Sequence, residues 1–121
     1  MKQSSYTVGT QQKIIEAIAN GLEWNVNINV DKSVVEKKLV NGILPTGTLI
    51  AKDGSVAAVV EGKSNAYGVL VNDVDFNNSN GTEILAVCIH GCLSKAMIKK
   101  YSGYDVADVD QTALNMIKFL D

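Results

Sequence analysis

The chain has 121 residues, which is the size of a single domain, and its 46% of hydrophobic residues is enough to build a core. The 11 basic and 13 acidic residues give a net charge of −2, which argues against a sequence-independent nucleic-acid binder, because such proteins need clustered lysine and arginine. No apolar run approaches the ~20 residues of a membrane-spanning helix. The polar residues 1–6 do not resemble a secretion signal, so we expect synthesis and residence in the cytoplasm.

The first predicted element is a short helix that follows Thr10 as its N-cap. It would end at the pair Asn20-Gly21, and it would need a packing partner because so short a helix is marginal alone. Residues 1–9 have no apolar pattern and are predicted to form a tail. The residues that would share the apolar face of this helix are Ile14, Ile15, Ile18 and Leu22.

A two-residue period then predicts a β-strand over residues 24–30. Its polar face is explained either by exposure to solvent or, more specifically, by a strand that pairs with or lies along another protein. Residues 31–42 fit either a short helix or a broken strand. The apolar members of the strand are Trp24, Val26, Ile28 and Val30, and they alternate with Asn25, Asn27, Asn29 and Asp31.

The middle of the chain is rich in strand patterns. Strands are predicted over residues 47–51, 56–60, 66–71 and 83–90, with a tight turn at Asp53-Gly54 and an asparagine-rich loop over 73–81. A closing helix would be capped by Asp105 or Asp108 and would carry one apolar stripe formed by Val109, Ala113, Leu114, Ile117 and Leu120. The fold class is therefore α+β, mainly β: a small barrel-like or folded antiparallel sheet with short helices near both ends.

The one constellation with possible chemistry is Cys88, His90 and Cys92. In a continuous strand these side chains point to one face, but a closed structural zinc site needs four ligands. A Cys–His nucleophile pair would also need an orienting group and an oxyanion hole, and the sequence marks neither. A disulfide is excluded in an extended segment, where the two cysteine Cα atoms lie roughly 13 Å apart. We therefore expect two free thiols that flank a histidine, and no metal.

The loop that begins at Asp73 superficially resembles a calcium-binding loop. The pattern fails at both diagnostic positions, where Asn78 replaces the glycine and Ile84 replaces the glutamate. The glycines match neither phosphate-binding fingerprint. We therefore predict that the protein is not an enzyme and has no cofactor.

Three motifs in a fixed order carry a resemblance to a known family. They are Leu44-Pro45-Thr46-Gly47-Thr48-Leu49-Ile50 followed by the Asp53-Gly54 turn, then Ala66-Tyr67-Gly68-Val69-Leu70-Val71-Asn72-Asp73-Val74-Asp75, and then an apolar strand from Ile84 to Gly91. This succession resembles the lambda-type head decoration proteins and related head fibre proteins of tailed bacteriophages. The resemblance covers residues 42–121.

The resemblance implies a structural virion protein that binds the outside of an expanded capsid as a homotrimer, with the major capsid protein as its partner. It also implies a location on the capsid exterior after synthesis in the host cytoplasm. The charge balance and the lack of a long apolar run separately predict no direct contact with nucleic acid or membrane. On this interpretation residues 1–41 form an N-terminal arm and residues 42–121 form the decoration domain. The predicted capsid-contact residues of the arm are Trp24, Val26, Ile28 and Val30.

Other hypotheses stay open at this point. The Trp24–Val30 strand could complete the sheet of the domain itself. The protein could be another virion β-module, such as a fibre base or a tail component. It could also be a small metal- or ligand-binding domain that uses the face of Cys88, His90 and Cys92.

Overall fold

The computed structural model describes residues 13–18 and 23–121. It is mainly β, because the apolar segments in the middle of the chain form strands. This confirms the predicted α+β class. The strands are β1 (Glu16–Ile18), β2 (Trp24–Asp31), β3 (Ile43–Leu44), β4 (Leu49–Ala51), β5 (Val59–Val60), β6 (Lys63–Ser64), β7 (Ala66–Leu70), β8 (Val74–Asp75), β9 (Thr82–Ser94) and β10 (Ile117–Leu120). The helices are α1 (Lys32–Val35), α2 (Lys95–Ser102) and α3 (Asp108–Ala113), and a 3-10 turn covers Glu36–Lys38.

The long strand β9 organises the central sheet. It pairs antiparallel with β1, β2 and β7, and β7 pairs in turn with β4. The last strand, β10, runs parallel to β9, so the sheet is not purely antiparallel as the sequence predicted. The described strands do not close this sheet into a barrel, and β3–β8 and β5–β6 form two separate two-stranded sheets.

A buried core lies against each face of the central sheet. Consecutive residues on a strand point to opposite faces, and Val87 and Cys88 accordingly belong to different cores. We call the first the helix-side core, which consists of Ile15, Leu49, Ala66, Val69, Cys88, Leu93, Ile98, Leu114 and Ile117. The loop-side core consists of Val30, Val35, Leu44, Ile50, Leu70, Phe76, Leu85 and Val87. Burial on both faces explains why β4 and β7 read as continuous apolar runs.

The helix predicted after Thr10 is wrong for the part of it that the structure describes. Residues 13–15 are irregular, and β1 follows and pairs with the C-terminal half of β9. Ile15 is fully buried, and its carbonyl accepts a hydrogen bond from the Ser94 N–H at 2.8 Å. Pairing with β9 satisfies backbone groups that so short a helix could satisfy only marginally. Leu22 and the predicted stop at Asn20-Gly21 lie outside the described residues.

The closing helix is also shorter than its apolar stripe predicted. It ends at Ala113, and Ile117 and Leu120 lie in β10 beside β9. Its N-cap is Ala107 and not Asp105 or Asp108, and the Asp110 carboxylate accepts the Ala107 N–H at 3.0 Å. The apolar residues of the predicted stripe therefore lie on two elements: Val109 and Ala113 on α3, and Ile117 and Leu120 on β10.

Helix α2 has no counterpart among the predicted elements, although both of its ends carry ordinary signals. The Ser94 side chain caps the start by accepting the Met97 N–H. Gly103 ends the helix in the left-handed conformation, with φ of 79°. The sequence was compatible with either a short helix or a broken strand over residues 31–42, and the structure has residues 32–38 helical. None of the helices in the described ranges is long and apolar enough to cross a membrane.

Asp73 connects the first described residue to the body of the fold. Its Oδ1 accepts the Thr46 N–H at 2.8 Å and the Thr46 hydroxyl at 3.0 Å, and its Oδ2 forms an ion pair with Lys13 at 2.6 Å. Partial burial acts to raise the pKa of Asp73, but the hydrogen bonds from Lys13 and Thr46 outweigh it, so the pKa lies below its ordinary value. This carboxylate therefore has a structural role in place of the calcium-binding role that its loop superficially suggests.

Replacing Asp73 with Asn is expected to lower the free energy of unfolding at pH 7 by about 1 kcal/mol, a modest figure because solvent screens a carboxylate that is 36% exposed. Because the pKa of Asp73 is lower in the folded than in the unfolded protein, the charged carboxylate stabilises the fold at pH values above the unfolded-state pKa, near 3.9. This stabilisation is lost as the pH falls through the folded-state pKa. The difference between Asp73→Asn and the wild type should therefore shrink below about pH 4. Urea unfolding at pH 7 and at low pH measures it.

Asp105→Asn is the matched control, because Asp105 pairs with Lys99 at 3.1 Å but is 77% exposed. It should change stability by less than about 0.5 kcal/mol. If Asp73→Asn is equally costly at every pH, the charge of Asp73 does not contribute to stability.

Candidate protein-binding edge

Strand β2 forms an edge of the central sheet. Its eight residues pair antiparallel with β9, from Trp24 opposite His90 to Asp31 opposite Thr82. The Thr82 hydroxyl donates to Asp31 at 2.7 Å, and the Lys32 N–H donates to the Gly81 carbonyl at 2.6 Å, so the C-terminal end of β2 is fixed. Within the described ranges β2 pairs with β9 alone. The strand predicted for the arm thus belongs to the same sheet as β9, and no strand of residues 13–18 or 23–121 pairs with the other edge of β2.

The apolar face of β2 points into the protein. Val30 is 3% exposed in the loop-side core, and Val26 and Ile28 are half-buried against that core. The Asp53–Gly54 turn covers this face so closely that a Cβ on Gly54 would lie 3.0 Å from the Val30 Cβ. Three of the four predicted capsid-contact side chains are thus engaged with the chain's own core.

Trp24 is the exception among the predicted contact residues. Its side chain is 61% exposed, and its ring lies 5.0 Å from the His90 ring at an interplanar angle of 31°. The register shifts between Trp24 and Asn25, because His90 and Cys88 are their partners and Ile89 is the extra residue. Such a bulge bends the strand and redirects side chains. An exposed tryptophan at a strand end is the kind of group that anchors protein interfaces.

The outer face of β2 is polar but uncharged. Asn25, Asn27 and Asn29 are exposed, and Ile84, opposite Asn29 on β9, is 61% exposed. Proteins commonly protect an exposed edge strand with lysine or proline, which oppose pairing with another chain. Residues 24–30 contain neither. The edge is therefore long and chemically unprotected.

The Cys88, His90 and Cys92 constellation does not assemble as a uniform face. Cys88 is fully buried in the helix-side core, whereas His90 and Cys92 are half-buried after the bulge. Burial, together with the charges of Glu16 and Glu23, raises the pKa of Cys88 and outweighs an opposing backbone hydrogen bond with His90, so the thiol is a poor nucleophile. Both cysteines are free, as predicted. Among the described residues no group of three His, Cys, Asp or Glu side chains could hold a metal.

A pocket beside Tyr104 and Asp110 is the second feature of the surface, and the sequence carried no signal for it. Its lining comes from segments far apart in the chain, and two of its residues are joined by the hydrogen bond that Tyr104 donates to Asp110 of α3. The edge strand, in contrast, was visible in the sequence as a period-two pattern.

No protein-family model, curated protein or solved structure matches the chain. The functional argument therefore depends on the surface itself. Its most distinctive part is the unprotected edge of β2, with Trp24 at one end.

Proposed function

We propose that this protein is a structural virion protein that binds the outside of an expanded phage capsid as a trimer and stabilises the shell. The observation that carries the proposal is the unprotected outer edge of β2. An extended segment of a partner can add a strand to such an edge, and the backbone hydrogen bonds then provide affinity. The exposed Trp24 would anchor one end of the contact.

The motifs behind the resemblance to head decoration proteins support the same proposal. Thr46, from the first motif, is fully buried, and it donates two hydrogen bonds to Asp73 of the second. The second motif also contains β7, which pairs with β9 of the third. The three motifs thus form one connected structural unit, as is expected if their order reflects a shared architecture.

The major capsid protein is the proposed partner, and the capsid exterior is the proposed location. A cyclic trimer suits a protein that occupies three-fold positions. Repetition over a symmetric shell makes modest contacts effective, because each trimer binds through several sites at once. The edge strand needs only moderate affinity for stable decoration.

The direct test is co-sedimentation of the purified chain with empty capsids of the phage that encodes it, in both the unexpanded and the expanded form. We expect binding to expanded capsids only, with trimers seen by analytical ultracentrifugation either free or on the shell. A chain that is monomeric in both states, or that does not bind expanded capsids, contradicts the proposal. Binding to purified tails instead would indicate a fibre base or tail component.

Trp24→Ala is expected to weaken capsid binding by at least about 30-fold, since tryptophan anchors at interfaces commonly contribute 2 kcal/mol or more. Thermal stability should change little because the side chain is largely exposed. Met116→Ala is the matched control, since Met116 is another apolar side chain with 57% exposure. Co-sedimentation isotherms measure both variants.

Asn27→Lys tests the strand edge independently of Trp24. An added lysine should oppose the pairing of another strand with β2 and weaken binding by about tenfold. Asn78→Lys places the same charge on an exposed loop residue and should leave binding unchanged. If Asn27→Lys and Trp24→Ala both bind like the wild type, the capsid contact lies elsewhere.

A further inference from the structure

A pocket of about 210 Å³ lies where the Pro45–Leu49 segment meets the chain that follows α2. Its wall is mainly apolar and is formed by Val40, Pro45, Leu49, Val56 and Ala57. Its polar groups are Lys38, Thr48, Ser102, Tyr104 and Asp110. The orientation of these polar groups determines which ligand chemistry the pocket accepts.

The three hydroxyl groups all donate their protons within the protein. Thr48 donates to the Pro45 carbonyl at 2.7 Å, Ser102 donates to the Ile98 carbonyl at 2.7 Å, and Tyr104 donates to Asp110 at 2.6 Å. A hydroxyl has one proton and two lone pairs. Each of these groups can therefore offer a ligand only lone pairs.

Asp110 places a carboxylate at the same site, although its residue is only 1% exposed. Its Oδ2 accepts both the Tyr104 hydroxyl and the Ala107 N–H. No hydrogen bond among the described residues uses Oδ1. The Asp110 hydrogen bond, aided by burial and by the Asp110 charge, raises the pKa of Tyr104 to about 12, so this hydroxyl keeps its proton at neutral pH. The orientation of Tyr104 as donor to Asp110 is thus stable.

Lys38 is the one side chain of the lining that can only donate, and it is exposed. Solvent therefore screens its charge from a ligand deeper in the pocket. The other polar side chains of the lining present acceptors to a ligand, and one of them is a carboxylate. A ligand that fits must bring its own donors, a positive charge and a short apolar body.

We propose that this pocket binds a protonated primary amine on a short alkyl chain, with the ammonium group directed towards Asp110 and the alkyl chain against the apolar wall. An ammonium has three donors and no acceptor, which complements a site whose hydroxyls offer only lone pairs. The same chemistry occurs in a free alkylamine and in the lysine side chain of a partner protein.

The test is an NMR titration of the ¹⁵N-labelled protein with n-butylammonium chloride. We expect saturable shifts of the Thr48, Ala57 and Tyr104 amide signals with a dissociation constant in the millimolar range, as is usual for a ligand with so few atoms. Butan-1-ol and sodium butyrate have similar apolar bodies but a neutral and an anionic head group. Both should bind at least about tenfold more weakly, because they lack the charge-assisted hydrogen bond. Equal binding of butan-1-ol, or no saturable shift with n-butylammonium, overturns the proposal.

Two variants separate the charge of the site from its shape. Asp110→Asn keeps an acceptor for Tyr104 but removes the charge, and Ala57→Leu fills the wall without changing any charge. Each should weaken n-butylammonium binding by about tenfold or more. Lys38→Gln is the control and should bind as tightly as the wild type or slightly more tightly. If Asp110→Asn fails to fold, the result for Ala57→Leu still decides, and unchanged binding in that variant overturns the assignment to this pocket.

The source of the amine is resolved with a second probe, the blocked tripeptide acetyl-Gly-Lys-Gly-amide. Shifts of the same amides with this peptide, lost in Ala57→Leu, support a lysine side chain of a partner. Binding of n-butylammonium without the peptide supports a free amine, since the pocket would then exclude the peptide backbone. If Ala57→Leu binds capsids as tightly as the wild type does, amine binding by the pocket is independent of the proposed virion function.

Discussion

A chain shortened to begin at Lys32 is expected to lose its cooperative thermal unfolding and to aggregate. The deletion removes β1 and β2, which pair with β9 along most of its length. It also removes two fully or nearly fully buried side chains, Ile15 from the helix-side core and Val30 from the loop-side core. Both cores would open to solvent, and the edge of β9 would be exposed for pairing with other chains.

The expected loss is large compared with the total stability of a small domain. Each buried aliphatic side chain contributes about 1.5–3 kcal/mol, and the eight-residue β2 ladder adds to this. Domains of this size are stable by only about 5–15 kcal/mol. Differential scanning calorimetry and light scattering of the shortened chain measure the outcome.

A chain that begins at Lys13 is the control, because it keeps β1, β2 and the ion pair to Asp73. It should unfold cooperatively near the wild-type temperature. A chain that begins at Lys32 and nevertheless melts cooperatively would show that residues 42–121 fold without the segment before them. The predicted boundary between an arm and a decoration domain would then be correct.

Gly68→Ala is expected to lower the free energy of unfolding by about 3 kcal/mol, at the upper end of the usual cost of overpacking. A Cβ at this position of β7 would lie 2.3 Å from the Val87 Cγ1 and 2.7 Å from the Cys88 carbonyl oxygen. The first contact could relax by a side-chain rotation, but the second is with backbone. Accommodation would push β7 away from β9 and disturb both cores. The melting temperature should fall by about 10 °C.

Gly62→Asn is the matched control for this prediction. Gly62 has φ of +75°, and nothing lies within 4 Å of a Cβ built there. Asparagine tolerates the left-handed conformation, so the expected change is below about 1 kcal/mol. Urea unfolding curves give both values. A Gly68→Ala protein as stable as Gly62→Asn would mean that β7 and β9 approach less closely than described.

The two ends of the chain show where prediction from sequence reached its limit. The spacing of Ile14, Ile15 and Ile18 is compatible with a helix face, but the backbone there is irregular and then extended beside β9. The spacing of Ile117 and Leu120 is also compatible with a helix face, but both residues lie in β10, which runs parallel to β9. Short apolar patterns do not distinguish the two structures, because the decision depends on which partner satisfies the backbone.

The sequence by itself determined the central strands β2, β4, β7 and β9, since their period, β-branched content and flanking turns agree with one another. The turn at Asp53-Gly54 was determined in the same way, and Gly54 does adopt the positive φ that the turn requires. These features depend on neighbours along the chain. The tertiary structure decided the rest, because it depends on contacts between distant segments. Pairing with β9 turned both chain ends into strands, the bulge at Ile89 separated Cys88 from His90, and packing brought Tyr104 and Asp110 to a pocket wall contributed largely by residues 40–57.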